Sequence, residues 1–232
     1  PIVDLKDPDD RWRFRQVATE VARLVRKFRG SLSGEHGDGR LRAEFIPGMV
    51  GQKNYRLFQE LKRTWDPYDI FNPGKIVNAP PMDWRLRYAS GQVTPEVPTT
   101  FDFSATRGML RAAELCNGSG DCRKSHLIGG TMCPSFQATR NEKDTTRARA
   151  NILREVITHA RTDDPLASGQ VYDVMDLCLS CKACKSECPS NVDVAKLKAE
   201  FLQHYYDARG VPLRARAFAD FARTMEIGRA HV

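Results

Sequence analysis

The sequence has no long apolar run. No stretch of its 232 residues approaches the roughly 20 apolar residues that a membrane-spanning helix needs. A charged and then apolar leader is also lacking, so no secretory signal is visible. Hydrophobic residues make up 41% of the chain and charged residues 28%, a balance typical of a globular protein of one or two domains.

A nucleic-acid recognition motif is lacking as well. The formal net charge is +7, from 36 Lys and Arg against 29 Asp and Glu. These basic residues are scattered along amphipathic segments, which argues against a nucleic-acid partner. A solvated surface is the simplest interpretation, and attraction to an acidic partner or an anionic substrate is the alternative.

The seven cysteines are odd in number and clustered. A disulfide framework needs pairs, so this set favours metal ligation in a reducing compartment. Four of them form the run Cys178-x2-Cys181-x2-Cys184-x3-Cys188, followed by Pro189. This spacing resembles the iron–sulfur run of bacterial ferredoxins, in which the fourth cysteine ligates a second cluster. A zinc site is the weaker alternative, because zinc sites usually show two separated Cys-x2-Cys pairs.

The upstream cysteines are Cys116, Cys122 and Cys133, the last followed by Pro134. If both Cys-Pro cysteines are exchanged between clusters, each run completes the cluster of the other. We therefore expect one cluster to be held by Cys133, Cys178, Cys181 and Cys184. We expect the other to include Cys116, Cys122 and Cys188.

This second set is one ligand short of four. A three-iron cluster or a solvent ligand would account for the gap. So would a substitute ligand, for which Asp121, Ser119 and His126 are the candidates. Arg147 and Arg149 are candidate donors to cluster sulfur, although an exposed helix face is the simpler interpretation of both.

Apolar periodicity predicts helices over residues 11–29, 52–64, 145–159, 171–177 and 192–206. In the first two the predicted inward residues are Phe14, Val17, Val21, Leu24, Val25, Phe28, Tyr55, Phe58 and Leu61. Asp144 is the predicted N-cap of the third helix. Ile76–Val77 is predicted to be a short strand. The proline-containing stretch after it, at residues 79–107, is predicted to be a linker.

The segment Ser33-Gly34-Glu35-His36-Gly37-Asp38-Gly39-Arg40 brings an acid and an imidazole into a glycine-rich turn. Glycines let the backbone turn tightly and approach a ligand closely. A His beside a carboxylate is suited to proton abstraction or metal binding. A purely structural turn is the alternative.

This segment and the later Asn72-Pro73-Gly74-Lys75 resemble the C-terminal part of FAD-linked 2-hydroxy-acid oxidases and dehydrogenases. D-lactate dehydrogenase, the glycolate oxidase flavin subunit and D-2-hydroxyglutarate dehydrogenase belong to that family. The cysteine region is similar to the ferredoxin-like module of its fused members. The resemblance implies an α+β oxidase part at 1–78, a mainly α-helical dicluster domain at 108–210 and the start of a further segment at 211–225.

The resemblance also implies roles for individual residues. Glu35 would help to bind a divalent metal that holds the substrate carboxylate and hydroxyl. His36 would take the hydroxyl proton as hydride passes to the flavin, and Asn72 and Lys75 would contact the FAD. The N-terminal FAD-binding domain is absent from the sequence, so we expect an internal fragment that is inactive alone. The last seven residues, 226–232, resemble translated adapter sequence and are expected to be artefactual.

The sequence thus predicts FAD-dependent oxidation of a D-2-hydroxy acid, with electrons leaving through one or two 4Fe-4S clusters to a quinone or redox protein. We expect a cytoplasmic location, at the inner face of the membrane if the acceptor is there. The alternative functions are a stand-alone iron–sulfur electron-transfer module, whose Glu-His turn is only structural, and a zinc-stabilised interaction domain.

Overall fold

The chain forms two compact units that divide between residues 93 and 94. The computed structural model describes residues 2–159 and 165–221. The predicted artefactual tail at 226–232 lies outside the described residues, as does the end of the predicted segment 211–225. Among the described residues, no helix has the length and apolar character needed to cross a bilayer.

The first unit contains helices α1 (Pro8–Lys27), α2 (Ile46–Val50) and α3 (Gln52–Trp65), with a 3-10 turn at Ala43–Phe45. The Asp7 carboxylate accepts hydrogen bonds from the amides of Asp9 and Asp10, which starts α1. The predicted helices over 11–29 and 52–64 are therefore confirmed, with small shifts at their ends.

Ion pairs join α1 to the rest of this unit. The Arg15 guanidinium lies 2.6 Å from Glu44 and 2.9 Å from Asp83. Glu44 also accepts a hydrogen bond from the Met82 amide, and Arg11 donates to the Asp83 carbonyl. Two arginines on one face of α1 thus hold the 3-10 turn and the chain around residue 83 against the helix.

The predicted strand at Ile76–Val77 is wrong. Both residues lie in a bend, and Ile76 has a φ of 63°. The described residues contain no strand, so the α+β assignment of the first part is not confirmed. A β-branched pair favours extended backbone, but a strand also needs a neighbour with which to share hydrogen bonds.

The inward faces predicted for α1 and α3 are also largely wrong. Val21 is 48% exposed, Phe28 76% and Leu61 59%, and Ala22 is the only residue of α1 classed as buried. An apolar stripe shows which side of a helix prefers to be covered. It does not show that another segment of the same unit packs against that side.

The second unit is helical around the cysteines. Its helices are α4 (Met109–Glu114), α5 (Pro134–Thr139), α6 (Thr146–Thr158), α7 (Gly169–Asp176), α8 (Ala183–Glu187), α9 (Val194–Arg209) and α10 (Leu213–Ala219). Its 3-10 turns are Ser104–Thr106, Asp121–Arg123, His126–Ile128, Glu142–Asp144 and Pro165–Ala167. The mainly helical character predicted for this part agrees with the structure.

Helix α6 is the centre of this unit and packs against α4, α7 and α9. Leu153 on α6, Val171 on α7 and Phe201 on α9 are fully buried in the shared core. The N-cap prediction is wrong by one residue, because Thr145 rather than Asp144 accepts the hydrogen bond from the Ala148 amide. The Asp144 side chain is buried instead and accepts a hydrogen bond from Thr139 Oγ1.

A buried carboxylate fastens the start of the second unit to α9. Glu200 has no exposed surface and accepts hydrogen bonds from the amides of Thr100, at 2.9 Å, and Phe101, at 2.8 Å. His204 Nε2, one turn further along α9, lies 3.0 Å from the Pro98 carbonyl oxygen. The later half of the predicted linker 79–107 therefore lies along α9.

Candidate cluster site and the Glu-His loop

One cavity of the second unit is lined by thiols from both cysteine groups. Its cysteines are Cys133, Cys178, Cys181 and Cys184. This is the set that the exchange of Cys-Pro cysteines predicts for one cluster. Of these cysteines, Cys181 is exposed, whereas Cys133 and Cys184 are buried.

Two left-handed residues shape the loop that presents the later cysteines. Ser180 has a φ of 53° and Lys182 a φ of 63°, and they flank Cys181 on both sides. Left-handed backbone is uncommon for residues other than glycine and turns the chain sharply. The loop therefore folds back, so that three cysteines within seven residues border one cavity.

The N-terminus of α9 lies close to the Cys184 thiol. The backbone amides of Val194 and Ala195, at this N-terminus, lie near the Cys184 sulfur. Burial raises the pKa of this thiol, and the two amides act in the opposite direction. A helix N-terminus carries partial positive charge, so it suits a thiolate that ligates a metal cluster.

Cys133 is surrounded by polar groups of α5 and α6. Its Sγ lies 3.3 Å from Ser135 Oγ and 3.5 Å from Arg149 Nη1. Arg149 is fully buried, so the interpretation of this residue as part of an exposed helix face is wrong. Arg147 is half-buried instead, and its guanidinium pairs with Glu142 at 2.9 Å.

Cys116 and Cys122 are buried near the start of α6. The backbone amide of Arg147 lies near the Cys122 sulfur. Burial raises the pKa of Cys122, the amide lowers it, and the nearby Cys116 and Cys133 raise it again. Cys122 thus sits at the N-terminus of α6 as Cys184 sits at that of α9. All seven cysteines lie within the described residues, and none forms a disulfide bond.

Cys188 follows α8 and is half-buried. The neighbouring Glu187 accepts hydrogen bonds from the amides of Thr131 and Met132, at 2.9 to 3.0 Å. These bonds lower the pKa of Glu187. A Cβ at Gly130, whose φ is 84°, would lie 2.7 Å from the Glu187 carboxylate. Glu187 thus ties the loop before Cys133 to the end of the later run, and a glycine permits the close approach.

The substitute ligands considered for the second cluster have other contacts. Asp121 pairs with Lys124 at 3.5 Å, and the exposed His126 has its Nδ1 2.7 Å from Arg140 Nη2. For Ser119 the contact is made by its backbone amide, which donates to the side chain of Asn117, and not by the hydroxyl that would ligate iron. In the parts of the chain that the structure describes, no three His, Cys, Asp or Glu side chains meet as ligands of a single metal ion. The grouping of Cys188 with Cys116 and Cys122, and its fourth ligand, stay predictions.

In the first unit, the structure places Glu35 and His36 on an exposed loop. His36 Nε2 lies 3.3 Å from Glu35 Oε1, and the side chains are 78% and 85% exposed respectively. Arg42 donates to the Gly37 carbonyl, and Gly37 has a φ of 70°, so the loop closes tightly after the pair. The two side chains are therefore paired with each other and accessible. Their catalytic and metal-binding roles stay predictions.

Asn72 and Lys75 border a broad, mainly apolar groove. Its other walls include Phe58, Leu61, Trp65, Phe71 and Ile76. Asn72 has a φ of 49° and sits in the turn after α3. An amide and an ammonium at the edge of an apolar groove suit a flat ring with polar edges. Their contact with FAD stays a prediction.

A second buried carboxylate holds the turn before Asn72. Asp66 pairs with Lys62 and accepts hydrogen bonds from the amides of Ile70 and Phe71, both at 2.9 Å. Burial raises the pKa of Asp66, but Lys62 and the two amides outweigh it and lower the pKa. Sequence reasoning missed this residue and also Glu187 and Glu200, because a lone acid in a polar stretch looks like a solvated surface residue.

Comparison with known protein families separates the chain into the same two parts. Residues 1–76 match the family described as FAD linked oxidases, C-terminal domain. Residues 115–193 match the 4Fe-4S dicluster domain. The resemblance inferred from the two groups of motifs is therefore confirmed for both parts.

Among curated proteins, the chain is similar to D-2-hydroxyglutarate dehydrogenase of Escherichia coli K12, with 30% identity over 92% of this chain. The enzyme of that name from Pseudomonas putida is also 30% identical over 92% of this chain. Glycolate oxidase subunit GlcD of Bacillus subtilis is 29% identical over 32% of this chain and 16% of its own length. The chain spans about 24% of the length of either dehydrogenase. No solved structure is significantly similar to it.

Proposed function

Because the chain joins the C-terminal domain of FAD-linked oxidases to a 4Fe-4S dicluster domain, we propose that it is the electron-exit part of a 2-hydroxy-acid dehydrogenase. The first domain implies FAD and the second implies iron–sulfur clusters. When bound, FAD takes a hydride from the substrate, and iron–sulfur clusters accept its electrons one at a time. The acceptor that follows is a quinone or a redox protein.

The cavity shared by Cys133 and the later cysteines is the observation that carries this proposal. Thiolates are the ligands that iron–sulfur clusters require. The surroundings also fit an anionic group, because a buried guanidinium and two backbone amides face the sulfurs of Cys133 and Cys184. We therefore assign one 4Fe-4S cluster to Cys133, Cys178, Cys181 and Cys184. Cys116, Cys122 and Cys188 are assigned to the second cluster.

On the substrate side, His36 is the proposed base. Its imidazole would take the proton of the substrate hydroxyl, which allows the α-hydrogen to leave as hydride. Glu35 lies beside it and would hold a divalent metal that binds the substrate carboxylate. The relatives' names favour a D-2-hydroxy acid as substrate, with D-2-hydroxyglutarate first and D-lactate and glycolate after it. The proposed location is the cytoplasm, with the acceptor at the inner face of the membrane if it is a quinone.

The experiment uses the complete FAD-loaded enzyme that contains this chain and follows flavin absorbance after rapid mixing with D-2-hydroxyglutarate, D-lactate or glycolate. Loss of a general base costs about 10²- to 10⁴-fold in rate. His36→Gln should therefore slow flavin reduction by that range and leave iron and sulfide contents unchanged. His159→Gln is the matched control, because His159 is also exposed, at 64%, and belongs to the second unit.

Unchanged flavin reduction in His36→Gln would remove this residue from catalysis. The Glu-His turn would then be only structural, an interpretation that the high exposure of Glu35 and His36 also favours. Iron and sulfide contents near zero in anaerobically purified wild-type protein, with zinc present, would contradict both the dehydrogenase and a stand-alone iron–sulfur module. All three outcomes are read from one set of preparations.

A further inference from the structure

Arg149 is a buried cation at the wall of the four-cysteine cavity. Its Nη1 donates to Ser135 Oγ at 2.9 Å and to the Asp144 carbonyl at 2.8 Å, and lies 3.5 Å from Cys133 Sγ. Its Nε donates to the Val174 carbonyl at 3.0 Å. The guanidinium is thus held in one position, with one nitrogen at a cysteine sulfur.

The counter-charge of Arg149 is incomplete. The Asp144 carboxylate lies 3.8 Å from Arg149 Nη2, and both side chains are 1% exposed. Neither Nη2 nor Asp144 Oδ1 has a hydrogen-bond partner among the protein atoms. Burying a charged pair is costly, and apolar side chains of similar volume often stabilise a fold as well or better. A charged pair at this place therefore suggests a role beyond packing.

We propose that Arg149 is a positioning residue that raises the reduction potential of the cluster held by Cys133, Cys178, Cys181 and Cys184, and that Asp144 moderates this effect. The inference rests on the proposed function, since it requires that cluster. It adds which residues set the reduction potential of that cluster.

The physical reason is the change of charge on reduction. The cluster gains one electron, which the reduced flavin loses, and so it becomes more negative by one charge. A fixed cation nearby stabilises the more negative state, and a hydrogen bond to a ligating sulfur withdraws charge from the iron. A carboxylate has the opposite effect. Because the site is buried, solvent and salt screen these effects little.

Another cation lies near the cavity but is held differently. Lys198 donates to the Cys178 carbonyl at 2.7 Å, and that contact is only partly buried. It contacts a backbone oxygen rather than a sulfur. We therefore expect Arg149 to have the larger effect on the potential.

The test is an anaerobic redox titration of the full chain, with each cluster followed by its electron paramagnetic resonance signal. Arg149→Met should lower the potential of the four-cysteine cluster, with at least a tenfold change in its reduction equilibrium, about 59 mV for one electron. Arg149→Lys should lower the potential less, because lysine keeps the positive charge but lacks the planar set of N–H donors of the guanidinium. Asp144→Asn should raise it. That variant keeps the backbone carbonyl to which Arg149 donates.

Arg147→Met is the matched control, because the Arg147 side chain lies on the same helix and pairs with Glu142, and the substitution keeps the backbone amide near Cys122. It should leave the potential of the four-cysteine cluster within a twofold change in equilibrium. The decisive result is that the reduction potential shifts in opposite directions in Arg149→Met and Asp144→Asn. Loosened packing alone would shift the potential in the same direction in both variants.

Shifts of the same sign, or shifts of less than twofold in both variants, would overturn the role of Arg149. If Arg149→Met binds no cluster, Asp144→Asn and Arg149→Lys decide alone, and an unchanged or lowered potential in Asp144→Asn overturns the proposal. A wild-type chain without iron would contradict the proposed function as well. Loaded protein with unchanged potentials would contradict only the inference about Arg149.

Discussion

Replacement of Glu200 by alanine should loosen the start of the second unit from α9. This carboxylate has no exposed surface, and it accepts the amides of Thr100 and Phe101 at 2.9 and 2.8 Å. His204 Nε2 lies 3.4 Å from the same carboxylate. Alanine removes both acceptors and leaves two backbone N–H groups without partners.

The magnitude follows from the two hydrogen bonds. A hydrogen bond to a charged group contributes about 1.5 to 3 kcal/mol, and an unsatisfied buried donor costs about 1 to 3 kcal/mol. Glu200→Ala should therefore lower the free energy of opening this segment by about 3 to 5 kcal/mol. Glu200→Gln keeps one acceptor and turns an NH₂ group toward the other amide, so it should cost about 1.5 to 3 kcal/mol.

Hydrogen–deuterium exchange on the cluster-loaded chain measures this opening directly. Because about 1.4 kcal/mol corresponds to tenfold, the amides of Thr100 and Phe101 should exchange at least about a hundredfold faster in Glu200→Ala. Glu155→Ala is the control. Because Glu155 is 61% exposed, its replacement should change the exchange rates of these amides little. An acceleration below about fivefold in Glu200→Ala would refute the idea that this carboxylate holds the segment.

Two further predictions concern a glycine and a carboxylate. Gly130→Ala and Gly129→Ala both place a side chain at positive φ, 84° and 86°, but only the former brings a Cβ to 2.7 Å from Glu187. Each substitution should lower the free energy of unfolding by about 1 to 2 kcal/mol for backbone strain, and Gly130→Ala should lower it further because of the clash. Denaturant unfolding of both variants gives the cost of the clash as the difference between them. Although burial raises the pKa of Asp66, its hydrogen bonds outweigh burial and hold the pKa below the ordinary 3.8. The turn should thus stay protected above about pH 4 and open as pH falls through the lowered pKa. Amide exchange at Phe71 measures this, and a protection that is constant from pH 6 to about pH 2 would contradict it.

Helix positions were predictable because their signals are local. The apolar repeats of α3, α6 and α9 lie within the segments that fold, and the observed ends differ from the predicted ones by at most three residues. The position of Cys133 beside the later cysteines was also predictable. The chemistry of a two-cluster site fixes the spacing, and the structure places Cys133 on the same cavity.

What depends on distant parts of the chain was not predictable. Ile76–Val77 has the composition of a strand but no neighbour to pair with, and Ile76 takes a positive φ. Arg149 and Arg147 look alike in the sequence, yet only Arg149 turns into the core. The apolar face of α1 is evident, but residues such as Val21 remain 48% exposed because no described segment covers them.

The assignment of Cys133 to the later run is the central claim, and iron and sulfide contents of double variants test it most directly. Cys133→Ala and Cys181→Ala should each affect the same cluster, so the double variant should lose no more iron than the more affected single variant. Cys122→Ala combined with Cys133→Ala should reduce the iron of both clusters, because Cys122 is assigned to the other one. Additive iron losses for Cys133 and Cys181, with two resonance signals affected instead of one, would contradict the account.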